Sequence, residues 1–277
     1  MQGTNPPLGV KLAIVAQASE NPRGDRAEAR NGKAAGRTPP DARVVVASEF
    51  VTFGAQHFAA LGVVFGSAVV VPVAVRRLAG DRAEIAVRAA VGAGCLAFLV
   101  FELFVLLRRG DVALRDALPL HLCDLVLLLA PVALLTRRQL LLELLYYWGV
   151  GGSLQALLTP ALFSGFPALV CLAFFAGHAL SVTCALYAVV VLGLRPRRWS
   201  PLWAWLITNA YAAAVFPVNV LLDTNYLYIM RKPATPSLLD VLGPWPWYLL
   251  PLDAVALGVL FLCYAPFALL RRAGEPK

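Results

Sequence analysis

Charge is scarce in this chain. Asp, Glu, Lys and Arg make up 14% of its 277 residues, against roughly 25% in soluble domains. That is too little to cover a globular surface of ordinary polarity. Histidine occurs only three times and methionine twice. The five cysteines show no CxxC or zinc-ligand spacing, which excludes zinc ribbons and dithiol redox frameworks. No internal repeat is visible, and its absence weighs against transporter folds built from inverted repeats. What the chain has in abundance is apolar surface: 60% of residues are hydrophobic and the mean hydropathy is +0.72, against about 45–50% apolar residues in soluble proteins. The surplus needs a bilayer. The net charge of +8 falls mostly in loops and tails between apolar runs, which suits anionic lipid headgroups rather than nucleic acid.

Three segments follow. Residues 1–47 form a basic tail rich in Gly, Pro, Ala and Arg, with the composition of a disordered extension. Residues 48–272 form one membrane domain, and 273–277 a short tail. The expected fold is all-α, a bundle of seven transmembrane helices, since about 20 apolar residues cross the hydrocarbon. The spans are read as Phe50–Val75, Ala86–Leu107, Leu118–Leu135, Leu140–Leu158, Phe166–Leu194, Pro201–Leu222 and Trp247–Leu270. Loops on one side carry twelve Lys and Arg, among them Arg76, Arg77, Arg137, Arg138, Arg195 and Arg271, and the opposite loops carry five. The positive side is cytoplasmic, so the N-terminus is expected outside and the C-terminus inside, in a multi-pass protein of the plasma membrane.

Ionisable groups inside apolar spans mark cavities or partners. All three histidines, His57, His121 and His178, lie in such spans. With Cys123, Asp124, Glu102, Asn219, Asp223 and Asp253 they fall in the outer or middle membrane, which predicts one shared cavity. Taken singly, each histidine is better accounted for by a hydrogen bond between helices than by catalysis. Glu143 lies near the inner end and reads as a snorkelling interfacial carboxylate. On a regular helix His121 and Asp124, three apart, share a face, so Asp124 is expected to orient His121. Cys123, two positions from His121, points almost the other way, and its base is expected from another helix, His178 or His57. Cys171 is the rival thiol. Asn219 and Asp223, four apart, are expected to face the cavity together, with Asn225, Tyr226, Arg231 and Lys232 following as candidate contacts for a substrate and its phosphate.

Several short motifs carry a family resemblance. Phe53-Gly54-Ala55-Gln56-His57, Leu118-Pro119-Leu120-His121-Leu122-Cys123, Gly177-His178, Phe216-Pro217-Val218-Asn219 through Asn225-Tyr226, and Gly243-Pro244-Trp245-Pro246-Trp247-Tyr248 resemble YwaF-type bacterial integral membrane proteins over about residues 48–270. More distantly the chain resembles the eukaryotic transmembrane protein 164 family, described as cysteine-dependent acyltransferases that remodel ether phospholipids. The resemblance implies Cys123 as the acyl-carrying thiol and His178 as its helper. The eukaryotic proteins have Pro-Cys-His where this chain has His121-Leu122-Cys123.

Two functions are therefore expected from the sequence. The first is lipid acyl transfer, with Cys123 as nucleophile, His178 or His57 as base, and His121, oriented by Asp124, at the oxyanion. The alternative is a carrier using the same polar groups as proton or substrate ligands. Membrane lipids are the expected partners, and neither reading calls for a metal or another cofactor.

Overall fold

A computed structural model describes residues 48–109, 113–233 and 237–274; the expected tail at 1–47 lies outside the described residues. Every regular element among them is helical, apart from an isolated antiparallel bridge between Glu49 and Ser164. Helix α1 spans Ala55–Leu78 and ends on Arg76 and Arg77, cations that complement the negative pole of the helix. Helix α2, Asp81–Arg109, opens on Asp81 and Glu84, the converse arrangement. Helix α3 is Leu122–Thr136 and closes on Arg137 in a left-handed conformation (φ 54°). Two residues later α4 begins, Gln139–Tyr146, followed by a π-helical turn, Tyr147–Gly152, and α5, Ser153–Leu158. Helices α6, Leu169–Val190, α7, Ser200–Leu222, and α8, Leu249–Gly274, complete the bundle. Pro201 sits in the first turn of α7, where its missing N–H is not needed.

Five helices, α1, α2, α6, α7 and α8, are long and apolar enough to cross a membrane. Half of the apolar window of α6 is buried, against 11–17% in the other four. Helix α6 is therefore the central post. It packs against α1, α2, α3, α4, α5 and the π-turn, while α7 pairs with α8 at one side. The third and fourth expected spans come out differently. The third begins at Leu122 rather than Leu118, leaving fifteen helical residues, about 22 Å. The fourth is broken by the π-turn. Glycine makes both departures compact: a Cβ on Gly149 would stand 2.9 Å from the Ser181 carbonyl oxygen, and one on Gly92 in α2 would stand 2.9 Å from Cα of Pro131 in α3.

Two ionic and polar ties lock the bundle ends. Glu143 is 1% exposed and accepts from the Gln139 amide (2.9 Å), from the Arg197 backbone N–H (2.7 Å), and from Arg197 Nε and Nη2 (3.1 and 2.7 Å). It is not a snorkelling carboxylate but the buried anchor of the α6–α7 connection. At the other end the segment before α1 pairs with the α5–α6 loop, through Phe50 N–H to the Phe163 carbonyl (2.9 Å) and Gly165 N–H to the Ser48 carbonyl (2.6 Å).

Candidate functional site

The start of α3 gathers the chemistry. His121 is the N-cap, in extended conformation, so Cys123 and Asp124 are the second and third residues of the helix. One Asp124 oxygen, Oδ2, accepts the backbone N–H of His121 (3.1 Å); the other, Oδ1, accepts the Cys123 thiol (3.7 Å between S and O). Because residue 121 has left the helix, the expected pairing changes. The Asp124 carboxylate holds the His121 backbone and the Cys123 thiol rather than the imidazole, and the Asp124 backbone N–H faces the His121 side chain in a capping box. Glu102 of α2 lies within electrostatic range of both Cys123 and Asp124.

A folded cap covers this point. The His121 ring meets Tyr226 edge-on (centroids 5.2 Å) and Tyr228 (5.5 Å). Both tyrosines come from the α7–α8 loop, where burial pushes each phenol up to about 12. That loop is internally tied. Asn219, 1% exposed, accepts from Thr224 Oγ1 (2.9 Å) and Tyr226 N–H (2.8 Å) and donates to the Tyr226 carbonyl (3.0 Å). Asn225 accepts the N–H groups of Met230 and Arg231 (3.1 Å each) and donates to the Arg231 carbonyl (2.8 Å). These ties hold Asp223, Leu227 and Tyr228 at positive φ (52–60°), a region costing non-glycine residues roughly 1–2 kcal/mol each. Asp223 is exposed, so it and Asn219 occupy different environments despite their spacing of four. Lys232 reaches the Asp240 carbonyl (3.4 Å) and lies over the Tyr248 ring.

The other two histidines are placed elsewhere. His57 is fully buried among Phe50, Phe53, Phe58 and Phe175. Its Nδ1 accepts from the Phe53 N–H (2.9 Å), so Nε2 carries the proton and donates to the Leu157 carbonyl (2.7 Å). Both nitrogens are occupied, and the ring ties α1 to the end of α5. Cys171 lies in the same apolar cluster. His178 donates through Nδ1 to the Phe174 carbonyl (2.7 Å), leaving the lone pair on Nε2. Neither ring hydrogen-bonds to Cys123. Asp253 accepts from Trp205 Nε1 (2.8 Å) and Asn209 Nδ2 (2.9 Å), joining α7 to α8. The expected single group is thus divided: His121, Cys123, Asp124 and Glu102 converge, and His57 and Asp253 serve separate helix contacts.

A profile of the TMEM164 family matches residues 52–264, from the first turn before α1 to the middle of α8. The chain belongs to the TMEM164 family. An uncharacterized protein of Treponema pallidum (strain Nichols) is 33% identical over 226 residues, covering 79% of this chain and 90% of the relative. No solved structure matches. Family membership and the long apolar helices identify a multi-pass integral membrane protein.

Sequence reasoning missed Tyr211 and Tyr228 at the site of this TMEM164-family protein. Tyr211, in the middle of α7, donates to the Leu120 carbonyl (3.0 Å). The start of α3 therefore touches both the middle of α7 and the loop that follows it. An isolated tyrosine in an apolar run gives no local sign of such a role, because its partner lies 91 residues away.

Proposed function

We propose that this protein is a seven-pass enzyme of the plasma membrane that transfers acyl groups between lipids, with Cys123 as the acyl carrier. The observation that carries the reading is the Cys123 thiol hydrogen-bonded to Asp124 at the start of α3, which puts a proton acceptor beside the nucleophile. Helix α3 makes the third pass and the α4–π-turn–α5 rod the fourth. The twelve-to-five bias of Lys and Arg supports an outside N-terminus and a cytoplasmic C-terminus.

In the first half-reaction Asp124 takes the thiol proton and the sulfur attacks the ester carbonyl carbon. The tetrahedral intermediate breaks its carbon–oxygen bond, and the departing lysolipid oxygen takes the proton back from Asp124. In the second half a lysolipid hydroxyl gives its proton to Asp124 and attacks the thioester. The carbon–sulfur bond breaks and the sulfur regains the proton. The base is then Asp124 itself; the occupied nitrogens of His57 support leaving that residue out. His121 donates to the oxyanion, His178 serves as the second imidazole, and Arg231 and Lys232 receive the lipid phosphate.

The test is intact-mass spectrometry of the protein in phospholipid nanodiscs. An acyl adduct that hydroxylamine removes and that Cys123→Ser abolishes is the expected result. An adduct that survives Cys123→Ser, or none in the wild type, overturns the reading. The interaction of Glu102 with Asp124 favours a second reading, a proton-coupled carrier. A pH-sensitive dye inside proteoliposomes would then report flux that persists in Cys123→Ala and fails in Glu102→Gln.

A further inference from the structure

Helix α3 starts one turn later than its own sequence permits. Leu118 and Leu120 are good helix formers, and Pro119 is tolerated in a first turn. With Leu118 as an extended N-cap and Pro119 in the first helical position, nothing local prevents the extra turn. Instead Leu120 N–H closes back on the Leu118 carbonyl (2.8 Å), a tight three-residue turn. The backbone bond that opens the helix runs from Leu125 N–H to the His121 carbonyl (3.0 Å). In a helix begun at Leu118, the Leu120 carbonyl would accept the N–H of Asp124, four residues on. That carbonyl instead accepts the Tyr211 phenol at 3.0 Å. The Leu118 N–H, which a helix starting there would leave unpaired, donates to the Tyr226 hydroxyl (3.1 Å), which donates in turn to the Arg115 carbonyl, so Tyr226 pins the segment that would have to wind.

We propose that Tyr211 and Tyr226 are positioning residues that stop α3 from winding past Leu122 and so fix Cys123 and Asp124 at its second and third positions. Were the extra turn to form, His121 N–H would turn into the helix toward the Ala117 carbonyl. Asp124 would lose the contact that aims its carboxylate, and with it the thiol bond at 3.7 Å. Cys123 would also move from the first turn into the helix interior, where the terminal dipole no longer acts. The hydroxyls of Tyr211 and Tyr226 bond to backbone groups of the 115–120 segment and to no reacting atom, so both residues act through that segment. The consequence for Cys123 rests on its reading as the reactive thiol; the clamp itself is independent of that reading.

The test uses Tyr211→Phe and Tyr226→Phe in the full chain in phospholipid nanodiscs. Each keeps the ring and removes only the hydroxyl. Hydrogen exchange at the Cys123 amide, which the extra turn would bond to the Pro119 carbonyl, should become slower, by up to about fivefold, the limit that loss of one ordinary hydrogen bond sets on a two-state shift. A merely structural role would speed exchange. In parallel, iodoacetamide labelling of Cys123, referred to Cys263 in the same sample, should fall by up to about fivefold. Unchanged or faster exchange at Cys123 in both variants overturns the proposal. Slower exchange in variants of a protein whose wild type carries no acyl adduct supports the clamp and overturns acyl transfer alone. If Tyr226→Phe fails to fold, Tyr211→Phe decides the matter, since its hydroxyl makes one bond to one carbonyl.

Discussion

Removing the charge of Glu143 and removing its partner Arg197 should have unequal effects. Glu143 is 1% exposed, whereas the Arg197 side chain is 54% exposed. In Glu143→Gln the guanidinium can turn to water, and the amide still accepts one donor. The loss is then that of one or two charge-assisted hydrogen bonds, about 2–4 kcal/mol. In Arg197→Ala the carboxylate stays buried with only the Gln139 amide and one backbone N–H, the case in which breaking a buried pair costs about 3–5 kcal/mol. For a chain of this size each kcal/mol shifts a melting midpoint by about 2–4 °C. Unfolding followed by tryptophan fluorescence in mixed micelles of rising SDS content reads the difference directly. Glu143→Gln within about 0.5 kcal/mol of wild type, the range of neutral surface substitutions, would refute the reasoning, as would a reversed order of the two variants.

His57→Phe should destabilise the same unfolding transition by about 1–3 kcal/mol, since it leaves the buried Leu157 carbonyl and the partly buried Phe53 N–H without their partner while an aromatic ring stays in place. Gly92→Ala and Gly149→Ala each drive a methyl to 2.9 Å from backbone atoms of a neighbouring helix; each should cost about 1–3 kcal/mol, and Gly92→Ala should also slow Cys123 labelling by parting α2 from α3. Tyr226 and Tyr228 have folded-state values near 12, above the unfolded value of about 10. Folding therefore binds their protons more tightly. This stability is fully present below about pH 10 and is lost as pH rises through about 12, which tyrosinate absorbance and SDS unfolding at stepped pH will show.

The long spans were legible because their apolar runs reach the length a bilayer demands, and α1, α2, α6, α7 and α8 emerge close to where hydropathy places them. The start of α3 was not legible. Its local sequence permits a turn at Leu118–His121, and the groups that prevent it, Tyr211 and Tyr226, lie 91 and 108 residues along the chain. The role of Glu143 was hidden for the same reason: a carboxylate near two arginines suggests an interface, and its partner Arg197 is 54 residues away. Periodicity placed His121 and Asp124 on one face by treating residue 121 as helical; its extended conformation as N-cap is what brings Cys123, rather than the imidazole, to the carboxylate.

The turn at Tyr147–Gly152 has a consequence for how the gene tolerates insertions and deletions. A π-helical ring closes on the fifth residue instead of the fourth, so it holds one residue more than an α-helical turn. Deleting one residue there, Val150 for instance, returns the rod from Gln139 to Leu158 to a regular helix. The faces on both sides keep their neighbours, Tyr146 toward the Cys263 carbonyl and Leu157 toward the His57 ring. The same deletion in α6, where no spare residue exists, rotates everything beyond it by about 100°. In most membrane helices a lost codon is worse than a changed one; within this turn, where Gly149 abuts the α6 backbone, the ranking should invert.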